Sequence, residues 1–207
     1  MGLDKMFAEI GGEPVISHSI AAFENTRQVN EIIVVAREDR LPDVRSIIKQ
    51  AGFIKVKHVV QGGDTRQDSV VCALSHVARD CDFISVHDGA RPWITPQQIE
   101  RVLNCAVKNG AAASAHPLTD TLKRADKDLR VEENVSREGM WAMETPQIFR
   151  AEILRQAFSG LLAENLQVSD EVSAVQRLGI PVHLVQNDAL NPKVTFPADL
   201  RFPPPSH

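Results

Sequence analysis

An apolar run, Phe83-Ile84-Ser85-Val86, leads directly into His87-Asp88-Gly89-Ala90-Arg91-Pro92. A buried strand ending in a carboxylate and, three residues on, a guanidinium can offer a metal or hydroxyl ligand beside a phosphate ligand. Ligands of open α/β sheets sit beyond the carboxyl ends of strands, where such a loop would lie. Taken alone, the segment also reads as a surface turn with an internal ion pair. Gln61-Gly62-Gly63-Asp64-Thr65-Arg66-Gln67-Asp68-Ser69 brings paired glycines that let backbone approach a ligand, Asp64 and Ser69 for polar readout, and Arg66 for charge. It equally suits an ordinary strand-to-helix turn with an N-cap aspartate. Asn191-Pro192-Lys193-Val194-Thr195 sets a lysine at the head of a short apolar strand. Asp120-Thr121-Leu122-Lys123-Arg124 and Ser136-Arg137-Glu138-Gly139 place hydroxyls and cations on a charged stretch, although charged hairpins are usually soluble edges. Glu144-Thr145-Pro146-Gln147 reads as a polar turn.

These segments need a scaffold, and the chain alternates in a way that supplies one. Helical spacing over Val15–Phe23 gives way to a β-branched strand at Glu31–Ala36 and then to a helix over Leu41–Ala51, with Pro42 in its first turn. A strand is predicted at Phe53–Val60, a helix at Asp68–Val77 and the strand Phe83–Val86. Thr95-Pro96-Gln97-Gln98 has capping-box spacing and opens a helix that ends at Gly110. Ala111–Ala115 reads as a small-residue strand buried on both faces. This β-α-β-α order implies a Rossmann-like α/β fold, a mostly parallel sheet flanked by helices.

From Thr119 to Met140 the rhythm breaks into a charged, weakly alternating stretch, read as a β-arm projecting from a base that holds Trp141, Met143 and Phe149. Helices over Ala151–Ala163 and Ser169–Leu178, and strands at Val182–Val185 and Lys193–Phe196, complete a single domain over residues 1–202. Residues 203–207 are expected to form a loose, proline-rich tail.

Composition narrows the class. With 207 residues and 43% hydrophobic content, the chain can bury one full core. A net charge of −4 argues against a general nucleic-acid binder, so an anionic ligand must meet a local basic cluster. No apolar stretch reaches the roughly 18 residues that span a membrane. The sequence opens on no signal-peptide pattern. The 3 cysteines, Cys72, Cys81 and Cys105, lack metal-ligand spacing and suit buried thiols of a reduced, cytoplasmic protein. The 7 histidines form no metal-spaced pair.

In this order the motifs Gly-Gly-Asp-x-Arg-x-Asp-Ser, His-Asp-Gly-Ala-Arg-Pro, Asp-Thr-Leu-Lys-Arg, Arg-x-Gly-x-Trp, Thr-Pro-Gln and Asn-x-Lys-Val-Thr resemble one family. It is the 2-C-methyl-D-erythritol 4-phosphate cytidylyltransferases of the non-mevalonate isoprenoid pathway, and the resemblance covers about residues 2–200. It implies a homodimer exchanging β-arms, and transfer of CMP from CTP to methylerythritol phosphate with release of pyrophosphate. Gly63, Asp64 and Ser69 would then read cytosine, and Asp88 and Gly89 would lie near the ribose and triphosphate. Asp88 would be the side chain nearest Mg²⁺, which favours carboxylate plus phosphate oxygens. Lys5 would stabilise charge at the α-phosphate, and Lys193 would position the attacking phosphate. Arg137 from the partner's arm, with Thr121, Arg91 and Thr145, would hold methylerythritol phosphate.

The family also places a strand and a glycine-rich loop with a further arginine ahead of Lys5, and Met1-Gly2 matches the end of that loop. The expectation is therefore a truncated version of a competent enzyme, with poor CTP binding and little turnover as it stands. Three alternatives remain open: a cytidylyltransferase for ribitol 5-phosphate or another polyol phosphate, a non-catalytic nucleotide-binding relative, and one half of a fused enzyme.

Overall fold

A computed structural model of the chain describes residues 4–189 and 191–203. The phosphate-loop match at Met1-Gly2 and residues 204–207 of the expected tail lie outside the described residues.

A small hairpin, β1 (Glu9–Ile10) with β2 (Glu13–Pro14), precedes α1 (Val15–Glu24), β3 (Ile32–Ala36), α2 (Leu41–Ala51), β4 (Val56–Gln61), α3 (Arg66–Leu74) and β5 (Phe83–Val86). Next come α4 (Pro96–Asn109), β6 (Ala111–Pro117), β7 (Leu122–Ala125), β8 (Val131–Val135) and β9 (Trp141–Arg150). The chain closes with α5 (Ala151–Glu164), α6 (Glu171–Gln176), β10 (His183–Gln186) and a 3-10 turn over Pro197–Arg201.

The helix ends follow local chemistry. Thr65, not an aspartate, caps α3: its Oγ1 accepts from the Asp68 N–H, and the Asp68 carboxylate accepts from the Thr65 N–H. Thr95 caps α4 by accepting from the Gln98 N–H, yet the Gln98 side chain donates to Ser114 instead of turning back. Only half of that capping box forms, because the bond to the buried Ser114 hydroxyl on β6 draws the Gln98 side chain away from the Thr95 N–H it would accept from. Gly110 ends α4 at φ 86°, a left-handed value that side chains rarely adopt.

The main sheet has the order β10-β6-β9-β5. It is mixed rather than mostly parallel: β10 runs parallel to β6, and β9 runs antiparallel to both β6 and β5. The reason is connectivity. The chain leaves β6 into the arm and returns along β9, with Pro117 opposite Trp141, and an out-and-back path without a crossover is antiparallel. Period-two alternation then loads both faces. Ala112 and Ile148 pack with Val102 and Ala106 of α4, whereas Ala113 and Phe149 pack with Leu154 and Phe158 of α5.

A second, parallel ladder pairs β3 with β4, and β3 has no second ladder partner among the described residues. Between β3 and β5 lies a cavity of about 980 Å³, apolar where Ile33, Val35, Ile84 and Val86 line it. The arm is a separate antiparallel hairpin of β7 and β8.

Other boundaries also moved. Lys193–Phe196 pairs with no strand; its tie to the core is the Val194 N–H donating to the Ala90 carbonyl at 2.8 Å. The three cysteines are half-buried free thiols rather than buried ones. Pro203 accepts a hydrogen bond from the Trp93 indole at 2.8 Å, which anchors the start of the expected tail. No helix of the described residues is long and apolar enough to cross a membrane.

Candidate active site

The polar mouth of the cavity lies at the carboxyl end of β5. Lys5, Arg66, Ser69, Asp88, Gly89 and Lys193 all line it, drawn from four segments of the chain. Asp88 is the centre of charge. One carboxylate oxygen accepts from Arg66 Nε at 3.1 Å, and the other accepts from Lys193 Nζ at 2.9 Å. Burial alone would raise its pKa, but the Lys193 ammonium and the Arg66 guanidinium outweigh burial and hold it down at about 2.

Arg66 is fixed from behind by a residue far away in sequence. Its two terminal nitrogens donate to the two oxygens of Glu171 at 2.7 and 2.8 Å, a bidentate pair that orients the whole fork. Burial pushes the Glu171 carboxyl up, against the opposing pull of Arg66. Glu171 begins α6, one residue past Asp170, whose side chain caps that helix.

His87 and Thr145 set the backbone of the loop. Arg91 O can only accept, so His87 Nε2 carries the hydrogen that reaches it at 3.2 Å. Nδ1 of the neutral ring then accepts from the Thr145 hydroxyl at 3.0 Å, and that hydroxyl accepts from the Asp88 N–H at 3.0 Å. Desolvation of the half-buried ring favours this neutral form and pushes the His87 pKa down to about 4. Arg91 is turned inward: it donates to the carbonyls of Asn191 at 2.9 Å and Met143 at 3.2 Å, so it clamps the loops of the site to each other.

The glycine pair has a steric cause. A Cβ on Gly62 would come within 2.6 Å of Ser69 Oγ, and one on Gly63 within 2.4 Å of Asp68 Cβ. The turn thus closes directly onto the first turn of α3, where Ser69 Oγ donates to Thr65 O at 3.0 Å.

The residues named from sequence fall into three groups. Lys5, Ser69, Asp88, Gly89 and Lys193 share the cavity, and Gly63 with Asp64 forms the turn that leads to Ser69. Arg91 and Thr145 are outside the cavity lining: the Arg91 terminal nitrogens and the Thr145 hydroxyl bond to the protein, while Arg91 Nε lies 3.9 Å from Asp88. Thr121 and Arg137 sit on the exposed arm, away from the cavity lining, where Arg137 donates to the Thr119 carbonyl. Arg66 was visible in sequence only as a charge in a loop. His87 and Glu144 stood inside the quoted motifs without a role, and Glu171 outside them, since their partners lie on segments distant in the chain.

As a metal site the donor set is narrow. Among the described residues no three His, Cys, Asp or Glu side chains cluster as a cation cage. Asp88 alone offers a carboxylate, which fits an ion that takes most of its ligands from phosphate and water, and Lys193 would have to leave one oxygen first.

Residues 1–203 match the sequence profile of the 2-C-methyl-D-erythritol 4-phosphate cytidylyltransferase family. The enzyme of that name from Dehalococcoides mccartyi strain CBDB1 is 37% identical over 201 residues, covering 96% of this chain and 86% of the relative. Its counterpart in Halalkalibacterium halodurans is 35% identical over 201 residues, with 97% and 87% covered. The crystal structure of the Thermus thermophilus enzyme superposes with a TM-score of 0.82 at 33% identity, covering 95% of this chain and 90% of that one.

Proposed function

From the premise that the chain belongs to the 2-C-methyl-D-erythritol 4-phosphate cytidylyltransferase family, we propose that the cavity mouth at β5 transfers CMP from CTP to methylerythritol phosphate. A phosphate oxygen of the acceptor attacks the α-phosphorus, a new P–O bond forms, and the bond to the pyrophosphate leaving group breaks. Such a step needs alignment and neutralised charge more than an acid–base pair. The observation that carries the reading is Asp88 held between Lys193 and Arg66 at the end of a strand.

The resting ion pair gives the residues their roles. When phosphates enter, Lys193 exchanges Asp88 for a phosphate oxygen, and Asp88 is freed for a nucleotide hydroxyl or Mg²⁺. The ion would offset triphosphate charge. Arg66 cannot follow, because Glu171 holds both ends of its fork; it keeps Asp88 ionised and in place. Lys5 adds positive charge at the same mouth, and Gly63, Asp64 and Ser69 read the base.

Arg137 and Thr121 are assigned to the acceptor site of a second copy, reached by the arm. Their exposure on a hairpin outside the cavity lining supports that reading. A cytoplasmic setting is consistent with three free thiols.

The test is pyrophosphate release from CTP and Mg²⁺ with methylerythritol phosphate, ribitol 5-phosphate or no acceptor. Turnover with the first acceptor at the highest kcat/KM supports the proposal. Preference for ribitol 5-phosphate overturns it.

A further inference from the structure

Glu144 is 3% exposed, lies on β9 immediately before Thr145 and is outside the cavity lining. Its Oε2 accepts three hydrogen bonds, from Ser114 Oγ at 3.1 Å, Asn187 Nδ2 at 2.9 Å and Asn191 Nδ2 at 3.2 Å. Its Oε1 accepts from His116 Nδ1 at 2.8 Å. A buried side chain with this many donors is an organising centre, since the buried donors Ser114, Asn187 and Asn191 lose their water on folding and need this acceptor, whereas His116 stays exposed.

Two of the donors belong to the loop after β10, which carries Lys193. The Asn191 amide is fixed by two acceptors, Glu144 Oε2 and the Thr145 carbonyl at 3.1 Å. The Asn191 carbonyl in turn receives Arg91, and three residues beyond Asn191, Val194 is tied to Ala90. Lys193 stands between these two pins and reaches Asp88. On the other side, Ser114 receives the Gln98 side chain of α4, so the same carboxylate is braced against the rigid core.

We propose that Glu144 is a positioning residue: it anchors the Lys193 loop to β6 and β9 so that the Lys193 ammonium is held beside Asp88. Its effect on turnover rests on the cytidylyltransferase reading; its effect on Lys193 does not.

The test compares Glu144→Leu, Glu144→Gln and Asn191→Ala in the full chain. Reductive ¹³C-methylation of the lysines reports each amine by NMR, with Lys193→Arg assigning the Lys193 signal. In Glu144→Leu that signal should move to the position of a freely exposed lysine, while the other lysine signals stay in place. Glu144→Gln, which keeps an acceptor where Oε2 stood, should restore the wild-type position. Asn191→Ala should reproduce the shift should the leucine variant fail to fold. In steady state, kcat should fall about 10²-fold in Glu144→Leu with the CTP KM little changed, as expected for a misplaced reacting group. An unmoved Lys193 signal in both Glu144→Leu and Asn191→Ala overturns the proposal. A moved signal in a protein that turns over no polyol phosphate upholds the positioning and instead sinks the assigned reaction.

Discussion

The loop 87–91 and the arm 119–140 are both assigned to phosphate ligands, yet they are built in opposite ways. The loop is pinned by partners far away in sequence: Asp88 N–H on Thr145, Arg91 on Asn191 and Met143, Ala90 on Val194. The arm is held by its own ladder and by exposed pairs within it, Arg124 with Glu133 and Lys123 with Asn134. A site set by the core is preorganised in one chain, whereas the position of a hairpin with no core of its own must be fixed by what it docks on.

The largest effect separates function from stability in both regions. Lys193→Ala and Arg137→Ala should each lower turnover by about 10²–10³, the scale for removing one charge-stabilising contact. Thermal melting should barely move, because both side chains are on exposed or half-exposed positions. The two should then part in a mixing experiment. Arg137→Ala subunits combined with an Asp88→Asn variant should recover activity if the arm serves the partner's site, whereas Lys193→Ala with Asp88→Asn should not. Equal behaviour of both mixtures would erase the distinction between loop and arm.

A second experiment probes the loop by pH. His87 is half-buried and neutral with a pKa of about 4, against an ordinary value of about 6.5. As pH falls the unfolded chain takes up the proton first, so this contribution is complete above about 6.5 and is lost progressively toward 4. The window corresponds to about 3 kcal/mol at most. Asp88 acts with the same sign but lower, between its unfolded range near 3.9 and about 2. Urea unfolding at pH 7 and pH 5 should show the drop, and His87→Asn should flatten it. A wild-type protein equally stable at both values would refute the neutral ring.

Glu171→Gln should follow in size. It leaves the bidentate geometry short of one charged acceptor and should cost about 2–3 kcal/mol in urea unfolding. Arg124→Ala, its counterpart on the arm, should cost less than about 1 kcal/mol because that pair is exposed. Similar costs for the two would mean that the arm is packed in solution on a surface this single chain does not contain.

The same contrast explains what could be read from the residues alone. Helix α2 was legible to the residue, because Pro42 and the apolar spacing are local signals. So was β5, and so was the arm as a hairpin. The antiparallel course of β9 was not, since its long apolar and polar run gives no direction. Motif order grouped Asp88, Lys193 and Lys5, and the fold sets all three on one cavity; Arg91 and Thr145, grouped with them, bond instead to the protein. What separates Arg91 from Lys193 is burial against Asn191 and Met143, 100 and 52 residues away in the chain. Glu171 escaped notice for the same reason.

The smallest effect lies at the tip of the arm. Leu129 adopts φ 61° and is 87% exposed, while Asp126 accepts from the Asp128 and Arg130 amides to close the turn. A left-handed leucine carries about 1 kcal/mol of local strain that glycine does not. Leu129→Gly should therefore slow amide exchange within β7 and β8 by a few-fold while leaving exchange in β5 and the melting temperature unchanged. The strain is confined to a hairpin that opens on its own, so relieving it cannot reach the core. If exchange in the loop 87–91 slowed as well, arm and loop would be one cooperative unit, and the contrast between them would fail at its root.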